Sequence, residues 1–152
     1  MQKIKYFLIV ILFFLLGLIL INQPSRNLNL ENIKYVKIAG QEIKVDLALT
    51  KEARAQGLSG RKDLKENEGM LFVFERSGNY LFWMKDMFFS IDIIWLGEDM
   101  KVIYIKKDAR PELYPEIYGS QEGKPDARFI LEVVSGFSDK NNLKVGDGVE
   151  FY

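Results

Sequence analysis

The sequence predicts a mainly β domain, an antiparallel sandwich or barrel, behind an N-terminal transmembrane helix. Eight short segments have the apolar or alternating character of strands. Only two brief stretches between them carry helix signals, which argues against an α/β sheet. A separate uncharged apolar run precedes all of these segments. About 120 residues follow that run, which is enough chain to close one hydrophobic core.

The apolar run, residues 6–21, is predicted to cross the membrane as an uncleaved signal anchor. Its sixteen residues reach roughly 24 Å as a helix, and Lys3 and Lys5 before it can extend toward water. A basic start and a short apolar run also describe a cleaved signal peptide, but residues 21–27 lack a small-residue cleavage pattern. Because the lysines precede the run, we expect the N-terminus in the cytoplasm and the remaining chain outside it.

Three parts are predicted along the chain. Residues 1–22 form the anchor of a single-pass cell-membrane protein, whose membrane contact is residues 6–21. Residues 23–32 are polar and asparagine-rich, and are interpreted as a linker. Residues 33–152 form the β domain.

The β domain is predicted to contain short strands and two brief helices. Gly40 begins a probable hairpin turn. Thr50 is placed to cap a short helix that ends at Gly57, and Ser135 to cap a single helical turn within residues 137–141. The predicted strands are residues 33–39, 42–49, 70–74, 80–85, 91–96, 100–106, 128–134 and 148–151.

One connection, residues 107–127, is unusually long for a compact domain. It contains three of the four prolines of the chain, together with Tyr114 and Tyr118. Structureless loops longer than ~12–15 residues are uncommon in compact domains, and are often functional or disordered. Both interpretations of this segment remain open at the level of the sequence.

Composition excludes several kinds of chemistry. The chain has no cysteine and no histidine, so disulfides, thiolate nucleophiles, imidazole catalysis and histidine-ligated zinc are excluded. The chain has 21 basic and 21 acidic residues; three of the basic and none of the acidic ones precede residue 31, so the remainder carries a net charge of −3. Because the signs are interspersed without a basic stripe, we predict no nucleic-acid partner. No metal site and no cofactor are predicted.

Six motifs resemble those of the DUF192 family, a group of small bacterial and archaeal domains. They are "ARAQGLSGR" (53–61), "EGMLFVF" (68–74), "FWMKD" (82–86), "IDIIWL" (91–96), "ARFILEV" (127–133) and "LKVGD" (143–147). The resemblance implies a mainly β, jelly-roll-like sandwich and carries no known activity. This chain departs from the family pattern at Asp86, Met87 and Ser90, and it lacks the two cysteines that many relatives have in the long connection.

The "FWMKD" motif leads to the first candidate site. If residues 86–90 form a hairpin loop, Asp92 shares a strand face with Met84 and other apolar side chains. An aspartate on such a face needs a cation or backbone donors. Arg61 is the predicted partner, because a guanidinium can bind a carboxylate through two hydrogen bonds. One interpretation is therefore a structural clamp between Arg61 and Asp92.

The second interpretation of these residues is a ligand site. Trp83 would provide an apolar platform, and Lys85 and Arg61, with Asp92 nearby, would hold a small polar or anionic ligand. This interpretation predicts a membrane-tethered extracytoplasmic module that binds a small ligand or a glycan.

Two alternative functions remain. The first is a protein-interaction domain that uses residues 107–127. The second is a hydrolase built on two of the carboxylates Asp86, Asp92 and Asp126, because carboxylates are the only remaining acid–base pair for such a reaction. A binding module is favoured over an enzyme, and no catalytic residue is assigned.

Overall fold

The computed structural model of the protein describes residues 29–119 and 126–152. The predicted transmembrane helix, residues 6–21, therefore lies outside the described residues, as does most of the predicted linker. Within the two described ranges, no helix has the length and apolar character needed to cross a membrane. The described end of the linker forms a 3₁₀ turn at Leu30–Asn32, where the Asn29 side chain accepts a hydrogen bond from the Glu31 N–H.

The mainly β class is confirmed, and all eight predicted strands are present in the described residues. A ninth strand, β7, lies inside the long connection, residues 107–127, where no strand was assigned from the sequence. In chain order the elements are β1 (Tyr35–Ile38), β2 (Gln41–Ala48), α1 (Lys51–Gln56), β3 (Glu68–Gly78), β4 (Phe82–Trp83), β5 (Ile91–Leu96), β6 (Val102–Ala109), β7 (Ile117–Tyr118), β8 (Ala127–Val134), α2 (Phe137–Lys140) and β9 (Val149–Phe151).

The first helix is capped as predicted and the second is not. The Thr50 hydroxyl oxygen accepts a hydrogen bond from the Ala53 N–H at 3.1 Å, and α1 ends at Gly57 in a positive-φ conformation that a glycine tolerates. Gly136, not Ser135, is the residue before α2. The Ser135 hydroxyl instead donates to Asp108 Oδ1 at 2.8 Å, so this side chain joins α2 to the end of β6.

Seven strands form one sheet in the order β6-β5-β8-β3-β2-β1-β9, and β4 and β7 form a separate pair. All strand pairs of the described residues are antiparallel except β2 and β3, which are parallel and are connected through α1. The two edges of the large sheet approach each other beside β6 and β9, where Lys101 pairs with Gly148 and the Val102 N–H donates to the Asp147 carbonyl at 2.9 Å. The sheet therefore curls like a barrel, which protects its edge strands. The jelly-roll-like sandwich stays a prediction.

Both faces of the curled sheet are covered by apolar side chains. Along β3, Leu71 and Val73 belong to the core enclosed by the sheet, whereas Met70 and Phe72 belong to a second core on its outer face. All six residues of β5 are buried, because this strand has a core on each side. The small β4–β7 sheet contributes Phe82 and Tyr118 to the outer core. The second core is where the candidate site lies.

Candidate functional site

Asp92 is a structural anchor inside the fold. Its side chain is fully buried. Oδ1 accepts hydrogen bonds from the backbone N–H groups of Asp108 at 3.0 Å and Gly136 at 3.2 Å, and Oδ2 accepts one from Ser138 at 2.8 Å. One carboxylate therefore joins β5 to the end of β6 and to the start of α2. Backbone donors satisfy it in place of the predicted cation.

The predicted Arg61–Asp92 clamp is not formed. Arg61 makes an ion pair with Asp46 of β2, and both side chains are partly exposed. The prediction was wrong because β4 pairs with β7 and not with β5, so residues 86–90 are not a hairpin loop. Asp92 pairs with Val133 of the enclosed core, whereas Asp46 pairs with Met70 of the outer core. The two predicted partners thus lie on opposite faces of the sheet.

The "FWMKD" motif is attached to the turn that follows α1. The Ser59 hydroxyl donates to the Lys85 carbonyl at 2.8 Å, and the Gly60 N–H donates to the Asp86 carbonyl at 2.9 Å. Met84 is buried beneath the motif, and the side chains of Trp83 and Lys85 are exposed. The motif therefore extends from the buried core, at Met84, to the lining of a cavity, at Phe82 and Trp83.

A cavity of about 240 Å³ opens between α1, β3, β4 and β8. Trp83 lines it, whereas Arg61, Lys85 and Asp92 do not. Its aromatic lining consists of Phe72, Phe74, Tyr80, Phe82 and Trp83. Phe72 is buried, the next three are half-buried and Trp83 is about half exposed, so the aromatic surface runs from the floor to the rim. We call this space the Trp83 cavity.

The aromatic side chains that line the cavity contact one another, which fixes their positions. The Phe82 ring meets the Phe72 ring edge-on, with centroids 4.8 Å apart, and the Phe74 ring is stacked on that of Tyr80. The Phe82 ring also meets the buried Trp95 ring edge-on at 5.9 Å. A Cβ atom at Gly57 would lie 3.3 Å from the Phe72 ring, so the glycine that ends α1 also keeps the floor open. Edge-on and stacked aromatic pairs of this kind stabilise a defined shape.

Arg54 and Lys51 add positive charge to the lining of the Trp83 cavity. The Arg54 guanidinium lies 4.9 Å from the centre of the Phe74 ring, and its Nη1 donates to the carbonyls of Leu49 at 2.5 Å and Val73 at 3.0 Å. These contacts fix the guanidinium beside the cavity. Lys51 is exposed at the start of α1.

Glu132 is the functional candidate that the sequence did not reveal. It lies on the outer face of β8, between Met70 of β3 and Ile93 of β5, and it lines the Trp83 cavity. Its side chain is 5% exposed, and its Oε2 atom has no hydrogen-bond partner. Burial raises the pKa of Glu132 from 4.5 to about 8, although the nearby Arg61 opposes this effect. The carboxyl group is therefore mostly neutral at pH 7.

Part of the long connection is ordered as a strand. Residues 120–125 lie outside the described part of the chain, but β7 pairs Ile117 with Trp83 and Tyr118 with Phe82. Tyr118 is buried, and burial together with a hydrogen bond to Glu116 raises its pKa to about 12. Trp83 at the cavity rim and Ile117, which does not line the cavity, are each more than half exposed and form a small apolar surface.

None of the carboxylates proposed for catalysis lines the Trp83 cavity or the cavity beside α2. Asp92 is buried with its oxygens bonded to backbone donors, whereas Asp86 and Asp126 are exposed. Among residues 29–119 and 126–152, no group of three or more acidic side chains is placed to hold a metal ion. A second cavity, of about 370 Å³, lies beside α2, where Lys140 and Glu66 bond to each other at 2.7 Å. The third charged residue of its lining, Glu42, accepts a hydrogen bond from the Tyr152 hydroxyl, so each charged group already has a partner.

The fold and the cavity define a small β domain with an open, aromatic-lined site on the outer face of a curled sheet. The chain belongs to the DUF192 family, described as "Uncharacterized ACR", whose model matches residues 34–151. No curated protein matches the chain.

Two solved structures have the same fold. A protein of unknown function from Novosphingobium aromaticivorans DSM 12444 is 28% identical, with a TM-score of 0.72 over 84% of this chain and 89% of that one. A proposed transcription regulator from Sinorhizobium meliloti 1021 is 26% identical, with a TM-score of 0.68 over 77% of this chain and 90% of that one.

Proposed function

We propose that the domain is a small-ligand binding module whose site is the Trp83 cavity. The observation that carries this proposal is Glu132, a buried carboxyl group with an unbonded oxygen in the lining of an aromatic cavity. Buried polar groups in proteins are nearly always hydrogen-bonded, and an exception calls for an explanation. A ligand that bonds to Glu132 and packs against the aromatic rings supplies one.

The size of the cavity limits the ligand to a small molecule. Its volume of about 240 Å³ is below the roughly 300–1,000 Å³ typical of sites for drug-sized ligands. A single ring with its substituents fits this space. If the ligand is a glycan, as the sequence also allowed, one sugar residue enters the cavity and stacks on Trp83.

We expect Trp83→Ala to abolish or strongly weaken ligand binding without unfolding the domain, because half of the Trp83 side chain is exposed. A thermal-shift screen of the full chain against monosaccharides, nucleotides and organic acids identifies the ligand, since binding to the native state raises the melting temperature. Phe88→Ala is the matched control, because Phe88 is an exposed aromatic residue that does not line the cavity. The proposal fails if no compound shifts wild type, or if both variants retain the shift.

A protein-interaction role is the second candidate function. Ile117, which pairs with exposed Trp83, lies close in the chain to exposed Leu113 and Tyr114. Together these side chains favour a small apolar docking surface on the β4–β7 sheet. The same Trp83 side chain would then serve the ligand site and the surface.

We also propose that the domain lies outside the cytoplasm, attached to the membrane through residues 6–21. Support comes from the uncharged run and the two lysines before it. A reporter fused after Tyr152 should be active outside the cytoplasm, and the protein should remain in the membrane fraction after a carbonate wash. A shortened form released into the medium would show that the run is a cleaved signal peptide.

A further inference from the structure

The charges around the Trp83 cavity indicate what kind of molecule it takes. Lys51 and Arg54 lie in its lining, and Glu132 is the one acidic residue there. Arg61, outside the lining, is close enough to Glu132 to act on its ionisation. When Glu132 is protonated, the lining therefore carries a positive charge, and the low-dielectric walls strengthen its effect on a ligand.

Arg54 is positioned in advance to act on an anion. A guanidinium has five N–H donors, and both bonds that fix Arg54 to the backbone come from Nη1. Its planar group is also supported by the Phe74 ring. A cation that is already held in place loses little conformational freedom when a ligand binds.

Glu132 needs a hydrogen-bond acceptor. A protonated carboxyl group carries an O–H donor, and the sheet neighbours of Glu132 on either side are the apolar side chains of Met70 and Ile93. The Oε2 atom has no partner among the described residues. An acceptor atom on a ligand in the cavity completes this bond.

We propose that the Trp83 cavity binds a small carboxylate with a compact apolar body, and that the carboxyl group of Glu132 donates a hydrogen bond to the carboxylate of the ligand. The inference rests on the proposed binding function and specifies its ligand class. The apolar body packs against the aromatic rings, and Lys51 and Arg54 stabilise the negative charge. Hydrogen bonds between a carboxyl group and a carboxylate are short and strong because one partner is charged.

This arrangement makes binding depend on pH. The ligand needs the protonated form of Glu132, whose pKa burial raises to about 8, so affinity falls as the pH rises through that value. The charged and titratable groups around Glu132 are Arg61 and its partner Asp46, Lys51 and Arg54 of α1, Tyr80 of the cavity wall, and Lys106 on the far side of Ile93. Most of these groups are basic, which also favours an anionic ligand.

The test compares three probes of nearly equal size: benzoate, benzamide and benzylamine. Their binding to the full chain in lipid nanodiscs is measured by titration calorimetry, with empty nanodiscs as the blank. At about pH 6.5, below the raised pKa of Glu132, we expect benzoate to bind at least tenfold more tightly than benzylamine. Above about pH 8, its affinity should fall by about tenfold per pH unit.

Two substitutions assign the contacts. Glu132→Gln keeps an N–H donor, so it should retain benzoate binding at about neutral pH and remove the pH dependence. Lys51→Gln should weaken benzoate binding a few-fold. Lys62→Gln is the control, because this lysine is exposed and does not line the cavity.

The outcomes separate the two proposals. If benzamide or benzylamine binds as tightly as benzoate, the ligand class is wrong. If benzoate binds most tightly but its affinity does not change around pH 8, the proposed hydrogen bond from Glu132 is wrong. The binding function stands in both cases. The ligand class is also wrong if none of the three probes binds while the thermal-shift screen finds a ligand that depends on Trp83 and carries no carboxylate. If neither experiment finds a ligand, both proposals are overturned.

Discussion

Asp92→Ala is expected to lower the free energy of unfolding by on the order of 3–9 kcal/mol. The wild-type carboxylate is fully buried and accepts three backbone hydrogen bonds. Its removal leaves three N–H donors without a partner, and each such group costs ~1–3 kcal/mol. Because domains are stable by only about 5–15 kcal/mol, this variant should be close to unfolding. Urea denaturation followed by circular dichroism measures the change.

Arg61→Ala is the control that separates this explanation from an Arg61–Asp92 pair. The Arg61–Asp46 pair is partly exposed, with 35% and 59% of the two side chains accessible, and exposed pairs contribute ~0–1 kcal/mol. We expect Arg61→Ala to change stability by no more than that. Equal losses in Asp92→Ala and Arg61→Ala, with a smaller loss in the double variant than the sum of the two, would contradict the structure. If Asp92→Ala does not fold, Asp92→Asn provides the comparison, because it retains one acceptor oxygen.

Glu132→Gln is expected to stabilise the protein by roughly 3 kcal/mol at neutral pH. The pKa of Glu132 is raised from 4.5 to about 8 in the folded chain. Below about pH 4.5 the carboxyl group is protonated in both the folded and the unfolded chain. Between about pH 4.5 and 8 the unfolded chain releases the proton and the folded chain keeps it, so stability falls by about 1.4 kcal/mol per pH unit. A glutamine does not titrate, which removes this loss.

The pH dependence of melting tests this prediction. The melting temperatures of wild type and Glu132→Gln should be similar at about pH 4.5, diverge as the pH rises, and differ by a constant amount above about pH 8. Glu75→Gln is the control, because Glu75 is exposed in the same sheet. A difference that does not change with pH would mean that Glu132 ionises normally. The native sequence keeps Glu132 although this residue lowers the stability of the protein at neutral pH, which is consistent with a functional role for Glu132.

The strands were predictable because alternation and apolar runs depend on local sequence. Thr50 and Gly57 likewise act through contacts within a few residues, so α1 was predicted with its cap. The pairing of β4 with β7 could not be predicted from local sequence, because β4 has only two residues and its partner lies more than thirty residues further along the chain. The error about β4 led directly to the wrong partner for Asp92.

The candidate site was only partly predictable for a related reason. Trp83 was identified from its place in "FWMKD", but the partners of Asp92 are backbone N–H groups, which leave no residue-type signal. Glu132 resembles a solvent-facing residue of an alternating strand. The sequence "FILEV" does give one indication that Glu132 is buried, because the residues on both sides of it are apolar. Such a run is typical of a strand that is buried on both faces, which has no solvent-facing position.

The most direct test of the binding site is an NMR titration of the full chain with ¹³C-labelled glutamate carboxyl groups. One carboxyl signal, absent in Glu132→Gln, should titrate near pH 8. On addition of benzoate at about pH 6.5, that signal should shift in wild type and in Phe88→Ala, and stay in place in Trp83→Ala. A binding site at Glu132 is contradicted if every glutamate titrates near the ordinary pKa of 4.5, or if the Glu132 signal does not respond to benzoate or to any ligand found in the screen.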